Sequence, residues 1–358
     1  MSLLLGPVLM FRGLVGNRWN LSVLVVADGD PPVFACATAS ATSPVEALWA
    51  LGALSAYRCQ FTVTLGSQPQ RIAYSVEGIS AAFHVPSNGH APQMAYGSCN
   101  GFSSLKAMKG VKDNNRLWRD MDVQHGDAPF HLLLLGGDQV YADSMWETVP
   151  AMTEWAELSW DDGNNHVPTQ RMKDALLDYY FRLYTSRWSQ PEVAVMLAQV
   201  PTVAMWDDHD LIDGWGSYPD ERQLSRVYRE AIWPAAHKAF RTFQQQLADG
   251  DEHPGAITPG AGLTFAHQVG CVAILALDLR TERSDQQVLG AANWDLIYAW
   301  IDALQGCRHL IIMSSIPVVY PVSTCWSGYW ASCPAIRTSR TTSGIIGGRG
   351  RTRASACE

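Results

Sequence analysis

Apolar positions along this chain follow two regimes. Up to about residue 90 they form short segments broken by Gly, Pro, Ser and Asp. Beyond residue 93, uninterrupted apolar runs alternate with stretches of helical period. In the first regime Trp19–Val26, Gln60–Leu65 and Gln70–Val76 read as strands, and Val45–Leu54 as a helical turn. They predict a small β-sandwich-like domain over 1–90, closed by a linker at Pro86-Ser87-Asn88-Gly89-His90. In the second regime Met94–Gly97, Leu132–Leu135, Val203–Trp206, Val272–Leu277 and His309–Met313 read as buried strands. A strand covered on both faces is continuously apolar, whereas a half-exposed one alternates. Met172, Ala175, Leu176, Tyr179, Tyr180, Leu183 and Tyr184 recur at helical spacing. Gln223–Leu247 and Trp294–Leu304 do the same, the former kinked or broken before Pro234. Strands and helices in alternation predict an α/β domain over 91–321.

Composition sharpens this picture. The 358 residues are 47% hydrophobic and 17% charged, enough for a sizeable core and two domains. A formal charge of −8 argues against a general nucleic-acid binder, which shows a basic face. The charge is uneven: residues 322–358 hold five arginines and one glutamate, a surplus of +4, leaving about −12 on 1–321. That last segment contains no Leu, Lys, Phe or Asp and has no period. It reads as an aberrant, disordered tail produced by a frameshift after about Pro321. Ordinary codons for residues from Val322 onward can be chosen so that another frame gives a leucine-rich, acidic, amphipathic string. The opening Met1-Ser2-Leu3-Leu4-Leu5-Gly6-Pro7 has no charged n-region, Arg12 and Arg18 interrupt the apolar run, and no twin-arginine pair follows. This predicts neither a signal peptide nor a membrane span, and a cytoplasmic protein. The eight cysteines match neither a zinc ribbon nor a dense disulfide framework. Cys271 and Cys307 read as small buried hydrophobes.

The chemistry sits where the apolar runs end. Leu132–Leu135 gives way to Gly136-Gly137-Asp138-Gln139-Val140-Tyr141-Ala142-Asp143. Glycines let the backbone turn there, and a carboxylate at a strand end can hold or bridge hard cations; the same aspartate can equally cap the next helix. Trp206-Asp207-Asp208-His209-Asp210 packs three carboxylates and a histidine into four positions, a cluster that repels itself unless a cation compensates. Its histidine can ligate metal or protonate a leaving group. Tyr96-Gly97-Ser98-Cys99-Asn100 places a thiol and an amide at another strand end, as a metal ligand, a nucleophile or an inert buried cysteine. Asp278-Leu279-Arg280-Thr281-Glu282-Arg283 offers two arginines that suit phosphate, or surface salt bridges. Ser314-Ser315-Ile316-Pro317 closes the last strand with hydroxyl donors. Ligands in open α/β sheets bind beyond such carboxyl ends.

These motifs, in this order, resemble the PhoD-like alkaline phosphatase family of metallophosphoesterases. The matching elements are a strand ending in Ser-Cys, a Gly-Asp-x-x-Tyr strand end, a Trp-Asp-Asp-His-acid motif and an Asp-x-Arg-x-x-Arg motif. The resemblance covers about 1–321 and implies a four-layer α/β/β/α fold and phosphoester hydrolysis at a site using Ca2+ with Fe3+, other divalent metals being alternatives. Carried over by motif, Cys99 and Tyr141 would hold iron, and Asp138 would be a bridging metal ligand. Asp208 and His209 would complete that side, with the choice between Asp207 and Asp208 left open. His209 and Arg280 would serve catalysis, and Asn100, Arg280 and Arg283 would contact the substrate. That substrate is expected to be a small-molecule, lipid or nucleotide phosphoester, without specific nucleic-acid binding.

One departure is plain. The family ends with a further strand and a Gly-Asp-Val-His type motif that supplies metal ligands, and none follows Pro321. The chain therefore reads as the front two-thirds of such an enzyme, with its metallophosphatase domain incomplete. Two alternatives accompany the hydrolase: a catalytically inactive anion-binding or scaffold protein that keeps the fold, and a thiol hydrolase built on Cys99. No motif ties a histidine to that thiol.

Overall fold

A computed structural model describes residues 2–260 and 262–317 of the chain. The strands are β1 (Leu3–Val15), β2 (Arg18–Asp28), β3 (Phe34–Ala35), β4 (Ala39–Thr42), β5 (Glu46–Leu51), β6 (Leu54–Thr64), β7 (Gln70–Val76), β8 (Ile79–Val85), β9 (Met94–Gly97), β10 (Leu132–Gly136), β11 (Thr202–Met205), β12 (Phe265–Val269), β13 (Val272–Ala276) and β14 (His309–Met313). One eight-stranded sheet runs β4-β6-β2-β1-β11-β10-β9, with β5 also paired to β6; β12-β13-β14 and β3-β7-β8 form two smaller sheets.

Alternation along the buried strands sets the layers. Leu133 and Leu135 of β10, with Ala204 of β11, face a core shared with the helices Gln170–Trp188, Pro191–Gln199 and Trp233–Ala239. Leu132, Leu134 and Val203 point the other way, into a second core with Phe265, Ile274 and Ala276 of the β12-β13-β14 sheet. Leu275 and Leu277 then face Ile297 of the helix Ala291–Asp302. Helices, sheet, sheet and helix follow in order, which is the expected α/β/β/α layering. Every residue of β10 and β11 is buried because both faces are covered.

The N-terminal strands share this framework. β1 lies parallel to β11, with Met10 opposite Thr202, and the Thr202 hydroxyl donates to the Leu9 carbonyl at 3.0 Å. Ile72, Tyr74, Phe83 and Val85 of the small β3-β7-β8 sheet close over the same inter-sheet core. The sandwich-like character of 1–90 is therefore present and continuous with the central sheet. The connection Pro86–His90 lies between β8 and β9.

Three local expectations are corrected. Val45–Leu54 is extended, forming β5 and the turn into β6, because Trp49 packs edge-on against Phe181 at 5.0 Å and pairing with β6 satisfies its backbone. Pro234 does not break its helix. The π-helical turn Tyr228–Ile232 precedes Trp233–Ala239, and a second, Phe240–Gln244, follows. Proline near a helical start loses an N–H that the preceding wide turn already leaves out of register. Cys271 and Cys307 are half-buried rather than core residues, and the cysteines at 36, 59, 99, 271 and 307 are free thiols. No helix among the described residues is long and apolar enough to cross a membrane. The tail expected over 322–358 lies outside the described residues.

Candidate metal centre

Three of the motifs meet because β9, β10 and β11 are adjacent and parallel. Leu135 is in register with Gly97 on one side and Ala204 on the other, so the loops after Gly97, Gly136 and Met205 leave the same sheet end. Two non-glycine residues there adopt left-handed backbone, Cys99 at φ 57° and Asp138 at φ 52°. Such conformations cost free energy and persist where surrounding bonds over-determine them. Here the Cys99 N–H donates to Gly137 O at 3.2 Å and the Asn100 N–H to Asp138 O at 2.7 Å, locking the two loops together. Gly137 is needed at the same point. Its φ is 96°, and a Cβ there would lie 2.6 Å from the Asp207 Cβ.

Asp210 organises the centre from beneath. Its fully buried carboxylate accepts from the backbone N–H groups of Asp138 (2.8 Å), Gln139 (3.0 Å), Val140 (3.3 Å) and Asp207 (2.9 Å), and from Gln244 Nε2 (2.9 Å). Tyr184 adds a hydroxyl at 3.4 Å. One side chain thereby fixes both carboxylate-bearing loops against each other.

Asp138, Asp208 and His209 come together above it, each offering a ligand atom within 4.8 Å of the others. The His209 backbone N–H donates to Asp138 Oδ1 at 3.1 Å, and the Cys99 thiol lies 3.6 Å from Asp138 Oδ2. Tyr141 stacks on the His209 ring, centroids 4.2 Å apart, and neighbours Cys99. Burial pushes Asp138 up to about 8, helped by the charges of Asp210 and Asp207. Burial alone would lower His209, but its bond to Asp143 and the charges of Asp143, Asp138 and Asp208 outweigh this and raise it to about 9. The Nδ1 to Asp143 Oδ2 distance is 2.5 Å, and Asp143 Oδ1 accepts from the Asp213 N–H at 2.8 Å, so the imidazole is aimed by a fixed carboxylate.

The paired aspartates divide. Asp207 is claimed by the buried guanidinium of Arg280, which donates to it through Nε and Nη2. Asp208 receives a looser contact from the same group at 3.3 Å and keeps its place in the three-residue cluster. Arg280 is thus engaged within the protein, its Nη1 donating to Trp215 O at 2.9 Å, and is not a free phosphate fork. Arg283 differs: its Nε and Nη1 are buried with no hydrogen-bond partner, and the charges of Asp208 and Asp207 reach it. Asn100 is also committed. Its amide oxygen accepts from Trp118 Nε1 at 2.8 Å and from Arg187, and its Nδ2 donates to Gln139 O at 3.3 Å. It braces the Cys99 loop instead of presenting a free amide. Ser314 turns its hydroxyl back onto Ile316 O.

Asp143, Gln244 and Trp215 carry parts of this site that motif spacing did not assign. Asp143 lies two residues beyond the Gly-Asp-x-x-Tyr motif, and its pairing with the histidine of the other loop, 66 residues on, left no local signal. Gln244 comes from a distant helical turn and left none.

The donor set fits a cation. Asp138, Asp208 and His209 bring oxygen and nitrogen donors to one point, and the Cys99 thiol and Tyr141 phenol beside them are groups that a bound cation could deprotonate and hold. A family profile described as PhoD related phosphatase matches residues 89–331. The chain belongs to the PhoD related phosphatase family. The match takes in all four motif loops of the centre. A protein of Saccharomyces cerevisiae, titled "Uncharacterized protein YGR266W", is 26% identical over 306 residues, covering 74% of this chain and 43% of its own length. The chain thus spans less than half of that relative. A solved structure titled "Structure of PhoD" aligns with a TM-score of 0.48 at 14% identity, covering 85% of this chain and 61% of the other.

Proposed function

We propose that this PhoD related chain is a metal-dependent hydrolase of small-molecule phosphomonoesters or phosphodiesters. The convergence of Asp138, Asp208 and His209 at one sheet end carries the reading. Asp138 and Asp208 would hold hard cations through oxygen, as Ca2+ requires, while the Cys99 thiolate and Tyr141 phenolate suit Fe3+. When bound, the metals would polarise the phosphoryl group and make an attacking water more acidic. The chain's own groups do the rest. Asp143 holds the His209 ring through Nδ1, so Nε2 keeps a proton near neutral pH and delivers it to the departing alcohol oxygen. Arg283, with unpartnered N–H groups, grips the phosphate oxygens. Arg280 positions Asp207 and Asp208, and Asn100 holds the Cys99 loop in place.

The test separates proton delivery from metal ligation. In metal-loaded protein His209→Ala should cost far more with alkyl phosphates, whose alcohols leave poorly, than with p-nitrophenyl phosphate. Equal losses with both esters, accompanied by lost metal, would make His209 a ligand instead. A second reading has its own support: among the described residues β14 and the loop after it add no side chain to the three-residue cluster. A catalytically inactive protein that binds phosphate with metal would then be the outcome, showing metal-dependent phosphate binding and no turnover of either ester.

A further inference from the structure

We infer that the cleft beside Cys99 receives the organic group of the substrate, and that this group is large and apolar. The inference rests on the phosphoesterase reading above and names its substrate class. The cleft is a cavity of about 770 Å³ between the edge strand β9 and the helix Arg116–Asp127. Ala95, Phe102, Leu117 and Met121 give it an apolar part, and charged side chains including Arg116 and Asp120 line the remainder. Tyr96 is 54% and Leu117 79% exposed, a poor use of apolar surface unless something covers them. The size suits an organic molecule, since ligand cavities run to roughly 300–1,000 Å³.

Position identifies the occupant. Among the large cavities formed by described residues, this one reaches Cys99, whose thiol lies 3.6 Å from the Asp138 carboxylate. A phosphoester has two ends. With its phosphoryl group at Asp138, Asp208 and His209, the ester substituent has to lie beside the centre, and Cys99 is where the cleft begins. Hydrolysis breaks the P–O bond to that substituent and places a water oxygen on phosphorus. The alcohol leaves with one proton and hydrogen phosphate retains the other, so a water-filled apolar cleft is available again at the end of the cycle. Short polar alcohols would gain nothing from these walls, whereas each methylene buried there tightens binding about fourfold.

n-Alkylphosphonates test this with the full chain, because they carry the phosphoryl dianion and no scissile ester. Binding of methyl- to octylphosphonate would be measured by calorimetry with Ca2+ and Fe3+ present. The expected result is affinity that rises at least a hundredfold along the series, disappears in Asp138→Asn, and loses its chain-length dependence in Leu117→Asp. Leu117 is mostly exposed, so its replacement leaves the fold intact. Methylphosphonate binding with no gain from added methylenes would overturn the inference and spare the phosphoesterase reading. So would an octyl preference that survives Asp138→Asn, since the cleft would then be unconnected to the centre. If no phosphonate binds in the presence of metal, the phosphoesterase reading fails and the inference falls with it.

Discussion

Asp210→Asn tests whether one buried carboxylate holds the two acidic loops of the candidate site together. The substitution keeps shape and volume but turns one of two acceptor oxygens into a donor. Oδ2 accepts from the Asp138 and Asp207 N–H groups, and Oδ1 from those of Gln139 and Val140 and from Gln244 Nε2. Whichever way the new amide is turned, its NH2 faces at least two buried donors. Each stranded donor costs about 1–3 kcal/mol, so the variant should lose about 2–6 kcal/mol. That is a large part of the roughly 5–15 kcal/mol by which domains are stable. At about 2–4 °C per kcal/mol, melting should fall by about 4–24 °C. Near-ultraviolet circular dichroism would follow it, because Trp206 and Trp215 are buried beside these loops. Asp178→Asn, which removes an exposed pair with Arg182, is the control and should move little. A melting temperature for Asp210→Asn within about 2 °C of wild type would refute the idea that this carboxylate is a structural keystone.

Asp138→Asn should abolish most phosphatase activity and the thermal stabilisation given by added metal, yet melt no lower than wild type without metal, because burial already disfavours the charged form; retained activity within a few-fold would reduce Asp138 to a loop-capping role. If Cys99 and Tyr141 bind iron, loaded protein should show a visible charge-transfer band that vanishes in Cys99→Ser with Tyr141→Phe, and a colourless active enzyme would sink the assignment. Stability should also fall in acid through His253 and His267. Both are buried and neutral, burial holding His267 down to about 3 and His253 well below its usual value. A base depressed on folding contributes stability above its unfolded value near 6.5 that drains away as pH falls toward the folded one. The His267 site should lose about 2 kcal/mol between pH 7 and pH 5, and His253 adds in the same direction. His267→Gln should flatten the slope of melting temperature against pH, and an unchanged slope would show that the ring charges without cost.

Continuous apolar runs made the interior strands readable. Met94–Gly97 and His309–Met313 were bounded correctly, but they lie at sheet edges and are partly exposed, not buried as their apolar runs suggested. Glu46–Leu51 was misread because its burial follows neither period, being set by the aromatic cluster of Trp49, Phe181 and Phe243. The site's loops were legible as acidic strand ends. Which of Asp207 and Asp208 faces the centre was not, since it depends on Arg280 arriving from a different sheet. The intramolecular partners of Asn100 and Arg280 were not legible either, because sequence displays a side chain's chemistry without its partners. Asp143 and Asp210 act across about seventy residues of chain, beyond any local pattern.

The parallel pairing of β1 with β11 has a consequence for how the protein is made. Strand β1 and its hairpin partner β2 leave the ribosome long before the neighbour that completes β1, which includes Thr202, almost two hundred residues later. During that interval one long side of an apolar, thirteen-residue strand stays open. Closing so distant a contact is slow, and an uncovered strand edge invites pairing with other nascent chains. Synthesis rate and chaperone capture in that window, more than the finished protein's stability, should therefore set how much of this chain reaches its native state.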